Sequence, residues 1–240
     1  MADMILMAEG ICKKYRRPTK MASHFEAVKT LDFSLKKGKL VEICGRSGSG
    51  KSTLLYMMAG LLKPTGGRIL ALGFDSISKE IDLFSLSDEK LSRFRNSHFG
   101  VIPQGQTGLY SLTVMQNILV PLSVYGDSKA YEERAKELLE LVGIPHLADS
   151  RMQELSGGEM RRMAVARALV SDSDFIFADE PTDDLDDENT KTVLELLRKI
   201  ADSGKGVLLV SHESSAKEFA DEVYKMDAGS LLKNQVSPIL

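Results

Sequence analysis

A short strand-like segment, Leu40–Cys44, apolar but for Glu42, runs directly into Gly45-Arg46-Ser47-Gly48-Ser49-Gly50-Lys51-Ser52, and this junction constrains the chain more than any other feature. The octapeptide fits G-x-x-x-x-G-K-[ST], the pattern of a phosphate-binding loop. Glycines let the backbone wrap closely, so that successive N–H groups point at phosphate oxygens, and a following helix adds the positive end of its dipole. Leu54, Leu55, Met58, Leu61 and Leu62 supply that helix at the right spacing. Lys51 is placed to reach the β and γ phosphates, and the Ser52 hydroxyl, followed by Thr53, to hold Mg2+.

The rest of the chain reads as strands alternating with helices in its first and last thirds. Ile5 to Ala8, Leu31 to Leu35, Arg68 to Leu72, Phe99 to Ile102, Phe175 to Ala178 and Val207 to Val210 read as strands. A hairpin over Glu222 to Leu232 turns at Ala228-Gly229. Helices are expected over Asp88 to Asn96, capped by Ser87, and over Tyr131 to Val142, Glu159 to Val170 and Glu188 to Ala201. The middle, about 105 to 160, is helical, so the pattern implies one α/β unit with a helical insertion.

Phe175-Ile176-Phe177-Ala178 ends in Asp179-Glu180. Carboxylates at the exit of a buried strand are costly unless they have a function. Asp179 is placed to hold Mg2+ and Glu180 to orient or deprotonate a water. Leu155-Ser156-Gly157-Gly158-Glu159 offers a hydroxyl, two glycine amides and a helix start, a second anion site. Ser156 and Glu159 also make a capping box, which by itself does not require the paired glycines. One nucleotide has no need of two such sites, so the second is expected to close over the nucleotide of another subunit.

With these residues in place the sequence resembles the ATP-binding cassette (ABC) ATPases along nearly its whole length. Leu155 to Glu159 matches the family signature, and Asp179 follows Leu155 by 24 residues. The resemblance implies an aromatic stacked on adenine at Tyr15. It also implies a glutamine loop at Gln104 contacting Mg2+ and the attacking water, a dimer-contacting loop at Pro181 to Asp186, and a γ-phosphate switch at His212. It implies a phosphate-loop NTPase fold with a RecA-like core over 1–104 and 160–240, a small N-terminal antiparallel β part, and a helical subdomain over 105–159 that carries the signature. It implies Mg-ATP hydrolysis by a homodimer, with Glu180 as general base and Ser156 to Glu159 acting on the partner's nucleotide. Leu86-Ser87-Asp88 through Arg93 and Arg95 to Gly100, with Thr113-Val114, Asn117-Ile118 and Pro121-Leu122, is similar to the lipoprotein-release, macrolide-export and FtsE-like branch. That branch implies a permease with few membrane helices and a large extracytoplasmic domain, met near residues 104 to 125 by an ATPase peripheral to the cytoplasmic face of the inner membrane. Two other outputs fit the same cassette: an FtsE-like regulatory ATPase controlling an extracytoplasmic enzyme, and a soluble ATPase of cofactor assembly.

Several positions depart from the family pattern. Pro103 precedes Gln104, and Gly105 and Gly108 follow it, which points to an unusually mobile loop. Glu159-Met160-Arg161-Arg162 replaces a glutamine-rich run, with little expected consequence. Asp183-Asp184 stands where Gly-Asn or Ser-Ala is usual. With Asp186, Asp187 and Glu188 it makes an acidic patch expected to weaken the nucleotide-free dimer by like-charge repulsion.

Composition excludes other classes. Among 240 residues, Lys plus Arg is 31 and Asp plus Glu 34, a net charge of -3, without the basic excess of a protein that lives on nucleic acid. Lys13-Lys14 and Arg16-Arg17 read as a solvated strand end near the nucleotide rather than as a nucleic-acid patch. No apolar run approaches the roughly 18 residues of a membrane helix. Met1 to Gly10, with Asp3 and no basic stretch, does not read as a signal peptide. Cys12 and Cys44 read as small hydrophobes of a reducing, cytosolic compartment. His24, His98 and His146 read as structural, and Met57, Met58, Met160 and Met163 as core or interface filler.

Overall fold

The computed structural model describes residues 4–16, 24–74, 80–105, 108–123, 131–212 and 216–234. Two sheets organise it. The first is antiparallel, in the order β2 (His24–Lys36), β1 (Ile5–Arg16), β4 (Gly66–Leu72), β5 (Glu80–Asp82). The second has six strands in the order β10 (Ser230–Asn234), β9 (Glu222–Asp227), β3 (Leu40–Cys44), β8 (Gly206–Ser211), β7 (Phe175–Asp179), β6 (Phe99–Ile102). Five of these run parallel, and β10 returns antiparallel at the edge.

Apolar residues on both faces explain why β7 and β8 are interior strands of the large sheet. Side chains alternate across a strand, so Phe175, Phe177, Leu208 and Val210 enter one core while Ile176, Ala178, Val207 and Leu209 enter the other. The first core fills the space between the two sheets together with α1 (Lys51–Met58). The second lies under α3 (Val114–Ser123), α4 (Glu132–Leu141), α5 (Gly157–Leu169) and α6 (Asp187–Asp202). The remaining helix, α2 (Asp88–His98), is capped as expected by Ser87, whose Oγ accepts from the Lys90 amide at 3.4 Å.

The α/β class, the N-terminal antiparallel part and the helical middle agree with the sequence reading. The hairpin turns at Ala228-Gly229 as expected, and Gly204 follows the end of α6 with φ +96°. Several elements differ: β2 begins at His24 rather than Leu31, and α1 ends at Met58, short of Leu61 and Leu62. β1 runs on to Arg16, through register shifts between Ala8 and Lys14. β5 is a three-residue polar strand. α3 starts on a reciprocal cap, with the Gln116 amide donating to Thr113 Oγ1 at 3.2 Å and the Thr113 amide to Gln116 Oε1 at 3.0 Å. His98 is structural: its Nδ1 lies 2.7 Å from Asp174 Oδ2. Cys12 and Cys44 are free thiols, partly and fully buried.

The large sheet positions the site. Ligand clefts in parallel sheets form beyond the carboxyl ends of the strands. At that end β3 opens into Gly45, β8 into His212, β7 into Glu180 and β6 into Pro103-Gln104, and these four strands are immediate neighbours.

Candidate nucleotide site

The loop after β3 is wedged against two strands. A Cβ on Gly45 would lie 2.3 Å from the Met226 carbonyl oxygen, and one on Gly50 2.2 Å from that of Ala27, so neither position admits a side chain without moving backbone. Lys51 bends back over the loop, donating to Gly45 O at 2.7 Å and Arg46 O at 3.2 Å. α1 has no side-chain cap and no acid in its first turn, which leaves its N-terminal amides to an incoming anion. The Ser49 hydroxyl is buried without a hydrogen-bond partner among the described residues.

Behind the loop, Ser52 Oγ donates to Asp179 Oδ1 at 2.8 Å. Tyr56 also hydrogen-bonds Asp179, and its own phenol pKa is pushed up by burial and then by that carboxylate. Asp179 is almost fully buried, so these hydroxyls satisfy a charge that water does not. A hydroxyl and a carboxylate oxygen side by side are the hard donors Mg2+ prefers.

Glu180 is the hub. It is 5 % exposed, and its backbone has φ +49°, a strained value for a residue with a side chain. Its carboxylate meets Gln104 Nε2 at 2.9 Å, His212 Nε2 at 2.5 Å and Lys51 Nζ at 3.6 Å. Three donors from three other strand ends thus converge on one buried acid. Tyr15, Ser47, Gly48, Gly50, Lys51, Ser52, Thr53, Gln104, Glu180 and His212 line a single cleft of about 320 Å3. Gly45, Arg46 and Ser49 form the base of its loop.

Ser156 to Glu159 do not line this cleft. They open α5, with both halves of the capping box present: Glu159 N donates to Ser156 Oγ at 3.3 Å, and Ser156 N to Glu159 Oε2 at 2.7 Å. That backbone bond, with the Ser156 hydroxyl, holds the Glu159 carboxyl below its ordinary value. Gly157 is exposed and Gly158 buried, and Gly157 borders a second cavity, of about 90 Å3, with Gly105, Arg161, Asp183 and Asp184.

The contacts here bear on three expectations. The first part of the loop expected to be mobile carries two bonds: Arg161 Nη1 donates to Pro103 O at 3.3 Å and Gly105 O at 3.2 Å, while residues 106 and 107 lie outside the described residues. The Met160-Arg161-Arg162 run therefore has a consequence, because Arg162 also holds Asn189 Oδ1 of α6 at 3.0 Å. The acidic patch is not a set of free charges. Asp183 Oδ2 lies 3.4 Å from Gln104 Nε2, and Asp186 caps α6 by accepting from the Asn189 amide at 2.8 Å. Asp187 and Glu188 sit in the first turn of α6, where its dipole favours negative charge.

Residues not anticipated from sequence are Phe25, Ala27 and Tyr56, and Asp183, expected at a dimer seam, instead meets Gln104. Phe25 pairs directly with Tyr15 across β1 and β2 and lines the same cleft. The exposed aromatic was a readable signal, but the bulges in β1 hid the pairing. The basic cluster is engaged rather than free. Lys14 pairs with Glu26 at 2.7 Å and Lys13 covers the Tyr15 ring at 5.4 Å, while Arg17 lies outside the described residues.

Comparison with known proteins agrees with this geometry. Residues 28–183 match the family model described as ABC transporter. The lipoprotein-releasing system ATP-binding protein LolD of Aquifex aeolicus is 37% identical over 229 residues, covering 95% of this chain and 96% of that protein. The macrolide export ATP-binding/permease protein MacB of Bartonella henselae is 33% identical over 239 residues, covering 99% of this chain but 35% of that longer protein. Among solved structures, a dimeric ATP-binding cassette in a post-hydrolysis state with ADP and Pi superposes with a TM-score of 0.82. It is 28% identical, and the match covers 97% of this chain and 100% of that one. A phosphate loop, a paired Asp-Glu strand end and a signature helix in this order, together with these matches, lead to one assignment: the chain belongs to the ABC transporter family and is one of its ATP-binding ATPase chains.

Proposed function

We propose that two copies of this chain hydrolyse Mg-ATP and thereby drive a membrane permease. Each nucleotide lies between Gly45–Ser52 of one copy and Ser156–Glu159 of the other. The observation that carries the reading is the incompleteness of the single copy. One cleft gathers the phosphate loop, Gln104, Glu180 and His212, while the second anion-binding helix start lies outside it.

Mg2+ would be held by Ser52 and Gln104 with Asp179 behind them, and when bound it neutralises phosphate charge. Tyr15 and Phe25 present ring faces to the base. Lys51 exchanges its two loop carbonyls for phosphate oxygens, which releases a cation within 3.6 Å of Glu180. Glu180 takes the proton of the attacking water, and its strained backbone aims the carboxylate into the cleft. His212 and Gln104 orient the water and the γ-phosphate, and Lys51 with the partner's Ser156 to Glu159 amides stabilises the charge that develops.

The relatives named for lipoprotein release and macrolide export support a membrane-permease partner, and the reading takes it to be of the kind with few membrane helices and a large extracytoplasmic domain. The chain attaches to it peripherally at the cytoplasmic face, and among the described residues no helix is long and apolar enough to cross a membrane. The face we assign to the permease is the groove of about 360 Å3 between Leu61, Arg95, Val101 and Pro121, with mostly apolar walls.

The test of the chemistry is Glu180→Gln, which should keep ATP binding, lose turnover and accumulate an ATP-bound dimer in size-exclusion chromatography. Hydrolysis at the wild-type rate would refute the role of Glu180. The test of the partner is affinity purification from detergent-solubilised membranes of the native cell. A stoichiometric membrane protein with a large outer domain supports the permease, and recovery of soluble partners alone overturns it.

A further inference from the structure

We propose that Arg161 is a positioning residue for hydrolysis: by donating to the carbonyls on both sides of Gln104, it holds that side chain against Glu180 and Asp183. The proposal rests on the reading of Gln104 given above.

Gln104 lies in backbone that has little conformational definition of its own. Pro103 brings no amide hydrogen, and Gly105 sits at φ +77° with open space around it. Arg161 Nη1 supplies what the segment lacks, at 3.3 Å to Pro103 O and 3.2 Å to Gly105 O. With both flanking peptides fixed, the Gln104 amide is held 2.9 Å from Glu180 Oε2 and 3.4 Å from Asp183 Oδ2.

Charge makes the arrangement call for a cation. Glu180 and Asp183 present carboxylate oxygens within 4.8 Å of one another and of a His212 ring nitrogen, and two acids so close repel. Arg161 is 7 % exposed and shares a small cavity with Asp183 and Asp184. Burial pulls its pKa down and those two acids pull it back up. One buried cation thus bonds the signature helix to the loop after β6 and places its charge near the two acids of the loop after β7. A neutral side chain of similar volume would fill the space but leave two carbonyls without this donor and remove the nearby positive charge.

The experiment uses the full-length purified chain in four forms: Arg161→Met, Arg161→Lys, Gln104→Ala and the Gln104→Ala/Arg161→Met double variant. Each is measured for kcat, KM for ATP, the Mg2+ concentration giving half-maximal rate, affinity for a fluorescent ATP analogue, and thermal midpoint. Arg161→Met is expected to lower kcat about tenfold and to raise the Mg2+ requirement, with nucleotide affinity within about twofold of wild type. Arg161→Lys, which keeps the charge and its donors, should recover most of kcat. In the Gln104→Ala background, Arg161→Met should cost nothing more, because the residue acts through Gln104. If the methionine variant folds poorly, Arg161→Gln keeps one donor group and should show the same pattern at about threefold.

Wild-type kcat in a folded Arg161→Met protein, alongside an impaired Gln104→Ala, overturns the positioning role and leaves the reading of Gln104 intact. So does a double variant whose loss is the product of the two single losses. Wild-type kcat in Gln104→Ala itself overturns the reading of Gln104, and the proposal with it.

Discussion

The paired glycines of the signature should separate fold from function. A Cβ on Gly158 would lie 2.3 Å from Asn189 Oδ1 and 2.7 Å from its Cγ. Asn189 cannot easily yield, since it accepts from Arg162 at 3.0 Å and donates its side-chain amide to Asp186 at 3.0 and 2.9 Å. Turning it away gives up a charge-assisted bond on each side, together about 2 kcal/mol at partly exposed positions. Gly157 is different: it is exposed, and a Cβ there would meet Leu185 Cδ2 at an ordinary 3.8 Å. Alanine at the first position of the helix should leave stability within about 0.5 kcal/mol of wild type. The assay is thermal melting of the two purified variants, in parallel with ATP turnover. For a domain of this size about 2 kcal/mol lowers Tm by about 4–8 °C, so Gly158→Ala should melt clearly below wild type and Gly157→Ala should not. Both should lose turnover, because each glycine amide belongs to the surface assigned to the partner's nucleotide. A Gly157→Ala protein that melts as low as Gly158→Ala would refute the packing argument. One that is stable and fully active would refute the assignment of Gly157 to the nucleotide.

Removing either cleft ring, by Tyr15→Ala or Phe25→Ala, should weaken binding of an ATP analogue about tenfold, as base stacking on one aromatic ring is worth about 1–3 kcal/mol, while Tyr15→Phe should not. Unchanged affinity in both alanine variants would remove the base from this end of the cleft. Burial by itself would raise the Asp174 carboxyl, but Lys37 at 2.6 Å and His98 at 2.7 Å outweigh it and hold the group below its ordinary 3.8. A depressed carboxyl contributes stability above its unfolded pKa and loses it as pH falls through the folded value. The Tm advantage of wild type over Asp174→Asn should therefore be full at neutral pH and shrink below pH 3.8, and a constant advantage across that range would contradict it. Exposed Asp184, Asp187 and Glu188 keep part of the expected repulsion, so nucleotide-free self-association, followed by sedimentation, should tighten from low to high salt. Insensitivity to salt would mean that capping and the helix dipole already absorb those charges.

The strands that carry the site were legible because each is short, mostly buried and mostly apolar: Leu40–Cys44 with Glu42 at its centre, Phe99–Ile102, and Phe175–Asp179 with its acid at the end lie where the pattern puts them. What escaped is what lacks such a signature. β5 has three residues, two of them acidic and none fully buried, so no period marks it. β1 turns exposed beyond Lys13, where a strand no longer alternates. The start of α3 was readable from Thr113 and Gln116, yet Pro121 reads as a break, and the structure accommodates it in the last turn.

The site divides along the same physical line. Glu180, Gln104 and His212 follow the carboxyl ends of three strands, and Lys51 closes the loop that follows a fourth; the spatial order β3-β8-β7-β6 makes the four ends neighbours, so identifying the strands nearly identifies the cleft. Asp183 and Arg161 follow no such rule. Asp183 reaches Gln104 after Glu180 takes a left-handed backbone at φ +49°, which no local pattern of non-glycine residues announces. Arg161 belongs to a helix whose period assigns it a face, but nothing in that period says that the face abuts the carbonyls of Pro103 and Gly105, 58 and 56 residues away. Local chemistry can be read from a motif, whereas contacts between loops depend on strand order and helix docking. The residues that support Gln104 therefore appear only once the fold is assembled.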